Sequence, residues 1–520
     1  GGLSTYPAVK TDIQKLLKSG QLLINYTGHG NTVSWSDEQV LTESDITKST
    51  YTRLPIWITA TCDFCRFDAP VTSAGEQVFL NKVSGGIGLF TTTRVAYSSP
   101  NFSINDNLIR NLFEKKNGRR LTLGEVMKAT KRALGSSRYK LGFALIGDPA
   151  LKLSYPEYRM NVTAVNGNPV TSEPVTFKAL QKITVEGEVL NPEGNVATDF
   201  FGLLNPTVLD SRVSNETLDN NKTGKTFKYT DYSNVLFIGN DSVRAGKFSF
   251  TFTVPKDISY SNEFGKMNLY ASDETTNVEA QGAYLNYRVG GTDDNADDDQ
   301  DGPEIRALYL NDSTFVSGGQ VNTTPFFVAR LWDKSGVNIT GSSIGHDMML
   351  IIDGNPSLSF NLNSYYELIP GSDGEGIVKY LLPALTPGMH KAEFKVWDIQ
   401  NNSTTQEFEF EVVEGLKPYL LELTASPTPA REQVTFHLFH NRPESQLTVG
   451  IMVYDMVGRL QWRHEETGSS ELFKSYMVTW DLTNNRGGRL RPGVYIYRAA
   501  ISSGGSKEAT EAKKLIILAQ

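Results

Sequence analysis

A histidine framed by glycines and a cysteine, each at the end of an apolar segment, are the residues of this sequence best suited to chemistry. The segment "LLINYTGHGN" (22–31) ends in Gly-His-Gly, and "LPIWITATCDFC" (54–65) ends in Cys62 and Cys65, the only cysteines among 520 residues. A thiol is mostly protonated at neutral pH, and an imidazole that takes its proton leaves a thiolate nucleophile. These residue types predict nucleophilic catalysis by Cys62 with His29 as its base.

Both residues follow predicted strands, 21–27 and 56–61. In open α/β sheets, sites form at the carboxyl ends of the strands, and neighbouring strands lie roughly 5 Å apart. We therefore expect His29 and Cys62 to face one cleft. Glycines beside the histidine allow a sharp turn, and the N–H groups of Gly30 and Cys62 are candidates for stabilising an oxyanion.

Other interpretations of these residues stay open. Cys62 could be an inert buried thiol and His29 a capped loop residue. The pattern Cys62-Asp-Phe-Cys65 is also a C-x-x-C, which suits a thioredoxin-like redox pair. A metal site needs four ligands, and no second cysteine pair or nearby histidine cluster supplies them. We interpret Cys65 as a bystander, and no metal is predicted here. The remaining histidines all lie beyond residue 340: His346, His390, His437, His440 and His464.

The elements that must position this pair alternate along residues 1–155. Apolar periodicity predicts strands and helices in turn, which is typical of an α/β layer with a largely parallel sheet. Further strands are predicted over 86–92 and in "FALIGDP" (143–149). Helices are predicted over 7–17, 74–83, 104–116 and 122–134.

Beyond residue 155 the helical periodicity disappears and alternating segments take over. Examples are "KFSFTFTV" (247–254), "KAEFKVWD" (391–398) and "EFEFEVV" (407–413). Such segments, separated by turn residues at short intervals, predict β-sandwiches. The predicted division is a β-sandwich at 156–291, an acidic linker at 292–303, an Ig-like sandwich at 304–415, and a last β-sandwich at 416–520.

Composition limits the function classes. The net charge is −8 and the cations are scattered, which argues against a nucleic-acid partner because phosphate binding needs a basic stripe. Two cysteines exclude a disulfide scaffold and suit a bacterial envelope protein or a cytosolic one. The sequence contains no run of eighteen apolar residues, so we predict no membrane-spanning helix. No secretion signal is visible at the start of the sequence. We expect the chain to be a fragment that lacks its N-terminal part.

The acidic linker raises the question of calcium. Asp297-x-Asp299-x-Asp301-Gly302 begins like a loop of oxygen ligands, but Leu308 stands where an EF-hand needs its twelfth-position carboxylate. We therefore predict a solvated linker, with a calcium clip of another kind as the alternative. No other cofactor is predicted. The acidic residues of the linker are Asp293, Asp294, Asp297, Asp298, Asp299 and Asp301.

Four segments together resemble the gingipain family of cysteine peptidases, of the caspase clan, and within it the sortases of type IX secretion. They are "NYTGHGN", "WITATCDF", "GGIGLFTTTRVAYSSPNF" and "ALIGDPALKLSYP". The resemblance implies a caspase-like α/β domain, present in part, with Cys62 as nucleophile, His29 as base and then acid, and Gly30 as oxyanion donor. The acidic residue that orients the histidine would lie before Gly1, and neither Asp37 nor Glu38 is nominated for that role.

The last hundred residues resemble the C-terminal sorting domain of type IX cargo, in "VGIMVYDMVGRLQW" and "VTWDLTNNRGGRLRPGVYIY" for example. The segment "SPTPA" departs from the usual Pro-Asn-Pro. A sorting domain on a peptidase implies docking to an outer-membrane β-barrel partner such as PorV.

The resemblance implies a cell-surface enzyme at the outer membrane of a Gram-negative bacterium of the Bacteroidetes type. Such sortases cleave the C-terminal signal from cargo proteins with sorting domains and can join the new end to a lipopolysaccharide amine, and the motifs do not distinguish attack by water from attack by an amine. Asp63 and the following-loop residues Ser98, Ser99 and Asn101 are predicted to line the specificity pocket. The rival hypothesis is an inactive peptidase-like scaffold or adhesin, and the third is a cytosolic thiol-redox protein.

Overall fold

The computed structural model of the chain describes residues 6–116, 118–219, 222–296, 299–340, 345–369, 372, 374–506 and 508–519. The chain divides into two compact units, residues 1–155 and 156–520. Across the described ranges, no helix has both the length and the apolar composition that a membrane span needs.

The first unit alternates helices and strands. Its helices are α1 (Pro7–Ser19), α2 (Glu43–Thr47), α3 (Ala74–Leu80), α4 (Ser98–Phe113) and α5 (Leu123–Ala133). Its strands are β1 (Leu23–Thr27), β2 (Ser34–Trp35), β3 (Leu41–Thr42), β4 (Ile56–Ala60), β5 (Gly88–Thr92), β6 (Lys115–Lys116), β7 (Arg119–Arg120) and β8 (Phe143–Ile146).

Four of these strands form the central sheet, in the order β1-β4-β5-β8. The first three are parallel, and β8 runs antiparallel to β5. Every residue of β4 and β5 is buried, because helices cover both faces of the sheet. Trp57 packs with residues of α1 and α3 in one core, whereas Ile56 and Ile58 pack with α4 and α5 in the other. The unit is therefore a three-layer α/β/α arrangement.

Local sequence explains where two of the helices begin. Thr122 and Glu125 form a capping box at the start of α5, and Thr42 and Asp45 form another at the start of α2. α4 begins at Ser98, six residues before the predicted start at 104. Pro100 occupies the first turn of α4, where a missing N–H costs no helical hydrogen bond.

The second unit consists of strands with short 3₁₀ turns. From 158 to 292 they are β9 (Tyr158–Val165), β10 (Asn168–Pro169), β11 (Val175–Ala179), β12 (Lys182–Leu190), β13 (Gly202–Leu209), β14 (Val213–Glu216), β15 (Lys228–Asp231), β16 (Val235–Ile238), β17 (Asp241–Arg244), β18 (Lys247–Thr253), β19 (Glu263–Phe264), β20 (Lys266–Asp273), β21 (Val278–Tyr284) and β22 (Tyr287–Thr292). From 304 to 412 they are β23 (Glu304–Leu310), β24 (Gly319–Val321), β25 (Phe326–Trp332), β26 (Met349–Ile352), β27 (Ser359–Asn361), β28 (Tyr366–Leu368), β29 (Gly376–Leu381), β30 (Gly388–Trp397) and β31 (Ser403–Val412). From 420 they are β32 (Leu420–Ser426), β33 (Val434–His440), β34 (Gln446–Asp455), β35 (Leu460–Ser469), β36 (Tyr476–Trp480), β37 (Gly493–Ser502) and β38 (Ala509–Ile517).

Among the described residues, three large apolar cores lie in this unit, each between facing sheets, and a smaller cluster contains Tyr309, Phe326, Val328 and Ile377. The first large core is built from strands between β9 and β22 other than β14 and β15, the second from β23–β31 and the third from β32–β38. Buried and exposed residues alternate along their strands, as in β18, because one face of each sheet meets the core and the other meets water. This alternation is the pattern from which the sequence predicts sandwiches.

The final strand connects the two sheets of the last core. β38 pairs with β37 in one sheet, and Ile517 also forms a bridge with Ala430, which lies between β32 and β33 of the other. The Ala430 N–H donates to the Ile516 carbonyl at 2.8 Å, and the Leu518 N–H donates to the Ala430 carbonyl at 2.8 Å. Ile517 is buried. The end of the chain is thus bound on both sides.

Candidate active site

The strands that lead to His29 and Cys62 lie side by side. β1 and β4 pair in parallel, with Thr27 opposite Ala60 at their ends. The Gly28 N–H donates to the Ala60 carbonyl at 3.3 Å, so pairing continues one residue past the strands. His29 and Cys62 each follow the paired strand ends by two residues, at the same carboxyl edge of the sheet. Their action as a catalytic dyad stays a prediction.

The turn that carries His29 is held through its main chain. The Tyr26 hydroxyl donates to the His29 carbonyl at 2.7 Å, and the Ser36 N–H donates to the same oxygen at 2.8 Å. Tyr26 stacks on the buried Trp35 with 4.5 Å between ring centroids. Burial raises the pKa of Tyr26, which keeps its hydroxyl a proton donor. The His29 side chain itself is exposed, and no carboxylate of the described residues hydrogen-bonds to its ring.

Gly30 lies directly against the residue that precedes the cysteine. A Cβ added at Gly30 would overlap the hydroxyl of Thr61 and would lie 3.0 Å from the Ser34 carbonyl oxygen. Thr61 is fully buried. Gly30 is therefore required for the close approach of the histidine turn to the cysteine segment.

The Cys62 sulfur is held by the loop after β5. Its Sγ lies 3.3 Å from the Ala96 carbonyl oxygen, to which the thiol donates, and it accepts from the Ala96 N–H at 3.4 Å. The side chain is half-buried. The carbonyl orients the protonated thiol, and the N–H provides a hydrogen bond for the thiolate. This pair of backbone contacts involves a residue that sequence reasoning did not single out.

The two predicted oxyanion donors are available. Within the described part of the chain, neither the Gly30 N–H nor the Cys62 N–H has a hydrogen-bond acceptor. An N–H group at a site edge that no protein group binds can bind developing negative charge on a substrate oxygen.

The segment after Cys62 is fixed between β5 and α3. Asp63 is in the left-handed region with φ 51°, and its N–H donates to the Arg94 carbonyl at 3.3 Å. Cys65 is fully buried, and its N–H donates to the Thr92 carbonyl at 3.0 Å. Burial, with a further contribution from the Glu76 charge, raises the pKa of Cys65 to about 11. Cys65 is therefore a poor nucleophile, in keeping with a bystander role.

The expectation that Ser98, Ser99 and Asn101 lie in a loop is wrong. All three belong to the first turn of α4. Ser98 and Ser99 are exposed, whereas Asn101 is buried, and its Oδ1 accepts no hydrogen bond from any described residue. Their role in a specificity pocket, like that of the half-buried Asp63, stays a prediction.

Three exposed apolar side chains close to Ala96 in the sequence were not predicted. Val95 and Tyr97 flank Ala96, and Phe102 follows in the first turns of α4; all three are exposed. The sequence signal for them is an apolar residue on each side of the alanine in a stretch that otherwise carries polar side chains.

The acidic linker meets other carboxylates. Asp299, Asp333 and Asp398 bring carboxylate oxygens within 4.8 Å of one another, and Asp333 and Asp398 are buried. Burial raises the pKa of both buried carboxyls, and the neighbouring negative charges add to it. Of the other linker acids, Asp297 and Asp298 lie outside the described residues. A calcium clip stays the alternative to the predicted solvated linker, and the second and third carboxylates of such a clip come from segments that the linker motif could not indicate.

Comparisons with known proteins bear on the first unit most directly. Residues 1–154 match the model of peptidase family C25. A search of curated proteins finds no match. Among solved structures, the chain is similar to dimeric latent PorU from Porphyromonas gingivalis, with 33% identity, 98% of this chain and 47% of that chain covered, and a TM-score of 0.35.

Two gingipain structures are more distant. The complex of the Porphyromonas gingivalis RgpB pro- and mature domains is 18% identical over 56% of this chain and 58% of that one, with a TM-score of 0.27. The Arg-specific cysteine proteinase gingipain R is also 18% identical, over 56% and 57% of the two chains, with the same TM-score. The chain spans less than half of the PorU chain and under three fifths of these two. Through residues 1–154, the chain belongs to peptidase family C25, the gingipain type of cysteine peptidase.

Proposed function

We propose that the protein is a cell-surface cysteine endopeptidase that acts as a type IX secretion sortase. The observation that carries the proposal is the parallel pairing of β1 and β4, whose carboxyl ends lead to His29 and Cys62, with Gly30 packed on the residue before the cysteine. Membership of a cysteine peptidase family supports the assignment of these two side chains.

The chemistry begins with proton transfer. The imidazole of His29 takes the thiol proton of Cys62, and the thiolate left behind keeps the hydrogen bond from the Ala96 N–H. The sulfur attacks the scissile carbonyl carbon, and the resulting oxyanion is bound by the N–H groups of Gly30 and Cys62. The imidazolium then protonates the leaving amine as the C–N bond breaks, which leaves an acyl-enzyme thioester.

The second half-reaction decides between hydrolysis and transfer. Water attacking the thioester releases a free carboxylate, whereas an amine attacking it forms a new amide bond. We propose cargo proteins with C-terminal sorting domains as substrates and a lipopolysaccharide amine as the acceptor. The exposed side chain of His29 leaves the acceptor a path to the base.

Residues 416–520 support the sortase rather than a general protease. They form a separate β-sandwich core, and their sequence resembles the sorting domain of type IX cargo. We propose that this domain docks to an outer-membrane β-barrel partner such as PorV, which would hold the enzyme where cargo emerges at the surface of a Bacteroidetes-type cell.

The test uses the full-length protein, a cargo protein that ends in a sorting domain, and an amine acceptor. Cys62→Ala and His29→Ala are expected to abolish cleavage, whereas Cys65→Ala, the matched control, retains it. Mass spectrometry of the released cargo distinguishes a free C-terminus from one joined to the amine. A thiol-reactive probe is expected to label Cys62 rapidly near neutral pH in the native protein and in Cys65→Ala. The same rapid labelling is expected to be absent in Cys62→Ala.

The outcomes separate the hypotheses. Cargo processing retained by Cys62→Ala would remove this residue from the mechanism. A native protein that neither labels rapidly nor cleaves cargo is the scaffold or adhesin of the rival hypothesis. Cleavage with only free carboxylate as product identifies a hydrolase and rejects the transfer step.

A further inference from the structure

One hairpin of the second unit stands apart from the sheets around it. β14 and β15 pair antiparallel with each other, and among the described residues no other strand pairs with either. All four residues of β15 are exposed. Because a strand that covers a core buries one face, this ribbon does not contribute to the core of its domain.

The ribbon exposes large apolar side chains close to its tip. The Thr217 N–H donates to the Phe227 carbonyl at 3.0 Å, which extends the ladder by one pair. Phe227 and Tyr229 are two positions apart and so lie on the same face of the ribbon. Phe227 is 68% exposed and Tyr229 is 46% exposed, and Leu218, one residue beyond the ladder, is 85% exposed. The two exposed rings on one face mark an interaction surface.

The same tip carries cations without partners. Lys222 and Lys225 are exposed, and no carboxylate among the described residues forms an ion pair with them, whereas Lys228 lies opposite Glu216 in the ladder. The acid nearest to Lys222 in sequence, Asp219, is bound locally instead. Its carboxylate accepts from the N–H groups of Thr223 and Gly224 at 2.9 and 2.8 Å, and these bonds lower its pKa.

We propose that this ribbon docks the protein on an anionic lipid surface. Rings and aliphatic side chains enter the boundary between headgroups and acyl chains, and ammonium groups bind headgroup phosphates. The protein as a whole carries a charge of −8, so its body is repelled by an anionic surface and attraction has to be local. The inference does not depend on the peptidase proposal.

The experiment measures sedimentation of the full chain with vesicles of phosphatidylcholine alone or mixed with phosphatidylglycerol. We expect binding to the mixed vesicles only, and a decrease when salt is added. Replacing both rings, Phe227→Ser with Tyr229→Ser, is expected to weaken binding at least about tenfold, because each ring loses a large part of its transfer free energy. Lys222→Gln with Lys225→Gln is expected to weaken it about tenfold or more. Phe201→Ser removes a phenylalanine of the same domain that is 57% exposed, and is expected to leave binding unchanged.

A second measurement places the ribbon at the lipid directly. Phe227→Trp is expected to show a blue-shifted emission that vesicles protect from an aqueous quencher. Three results would overturn the proposal: equal sedimentation of native protein and ring variant, equal binding to neutral vesicles, or an oligomer in solution that the ring variant dissociates. The last result identifies a second copy of the chain as the partner of the ribbon. Thiol labelling of Cys62 is expected to be unchanged in every ribbon variant.

Discussion

Adding one methyl group at Gly30 is expected to destabilise the contact between the histidine turn and the cysteine segment. The new Cβ would overlap the Thr61 hydroxyl and would lie 3.0 Å from the Ser34 carbonyl oxygen. Overpacking of this kind costs about 1–3 kcal/mol in the free energy of unfolding. We therefore expect Gly30→Ala to lower the stability of the first unit by about 2 kcal/mol.

A second substitution tests the cause. Thr61→Ala removes the hydroxyl, after which the nearest Thr61 atom to the new methyl group is a Cβ at 3.4 Å, an ordinary contact distance. The hydroxyl is buried and has no partner among the described residues, so its loss offsets much of the cost of the missing side-chain methyl group. The double-mutant cycle is expected to give a coupling energy of about 1–2 kcal/mol between the two substitutions. The double variant is not expected to recover the full stability, because the added Cβ still lies 3.0 Å from the Ser34 carbonyl oxygen.

The assay has to report on the first unit alone. In a Cys62→Ser background, urea-dependent labelling of the fully buried Cys65 reports opening of that unit. Gly450→Ala is the matched control, since the nearest atom to its added Cβ is 4.0 Å away, and it is expected to have no such effect. In the enzyme with Cys62 intact, Gly30→Ala is expected to lower kcat about 100-fold if the turn shifts the oxyanion donor. A neutral Gly30→Ala, or a cycle without coupling, would refute the packing argument and with it the donor role of the Gly30 N–H.

The remaining predictions concern charge. Burial raises the pKa of Cys65 to about 11, so the rate of its alkylation is expected to rise only as the pH approaches that value. The stabilisation that comes from keeping the thiol neutral is expected to be lost between about pH 8.5 and pH 11. Titration of Cys65 near the ordinary thiol pKa would contradict this prediction. Millimolar calcium is expected to raise the melting temperature of the second unit by several degrees. Asp398→Asn is expected to remove that shift and Asp301→Asn to preserve it, while no shift in the native protein ends the calcium hypothesis. Arg119 lowers the pKa of Glu125 to about 2. The contribution of this ion pair to folding stability is therefore present at a pH above the ordinary pKa of a glutamate and is lost as the pH falls toward 2. Arg119→Gln is expected to raise the pKa of Glu125 in an NMR titration, and an unchanged value contradicts the pairing.

Predictions from sequence succeeded where one segment determines its own structure. β4 is apolar along its whole length, and the predicted strand over 56–61 differs from Ile56–Ala60 by one residue. The alternation that predicts strands after residue 155 is present as alternating burial. The parallel pairing of the strands that precede His29 and Cys62 also agrees with the α/β alternation of the sequence.

Predictions failed or were incomplete where distant segments meet. Nothing in the sequence marks Ala96 as the residue that binds the sulfur, since it contributes only its backbone. Asp333 and Asp398 join Asp299 from two other segments of the chain. The start of α4 was placed too late because Ser98 and Ser99 suggest a loop, although serines before a first-turn proline also suit the beginning of a helix.

The way in which β38 is bound has a consequence for protein engineering. Removing residues 509–519 would take away the edge strand β38 and would remove the buried side chains of Leu515 and Ile517 from the core. Ala430 would also lose both of its main-chain hydrogen-bond partners. Tolerance of truncation depends on the burial and bonding of the backbone that is lost, so a deletion that includes β38 is expected to unfold the whole last domain. Affinity tags and fluorescent fusions are therefore better attached after the final strand than substituted for it.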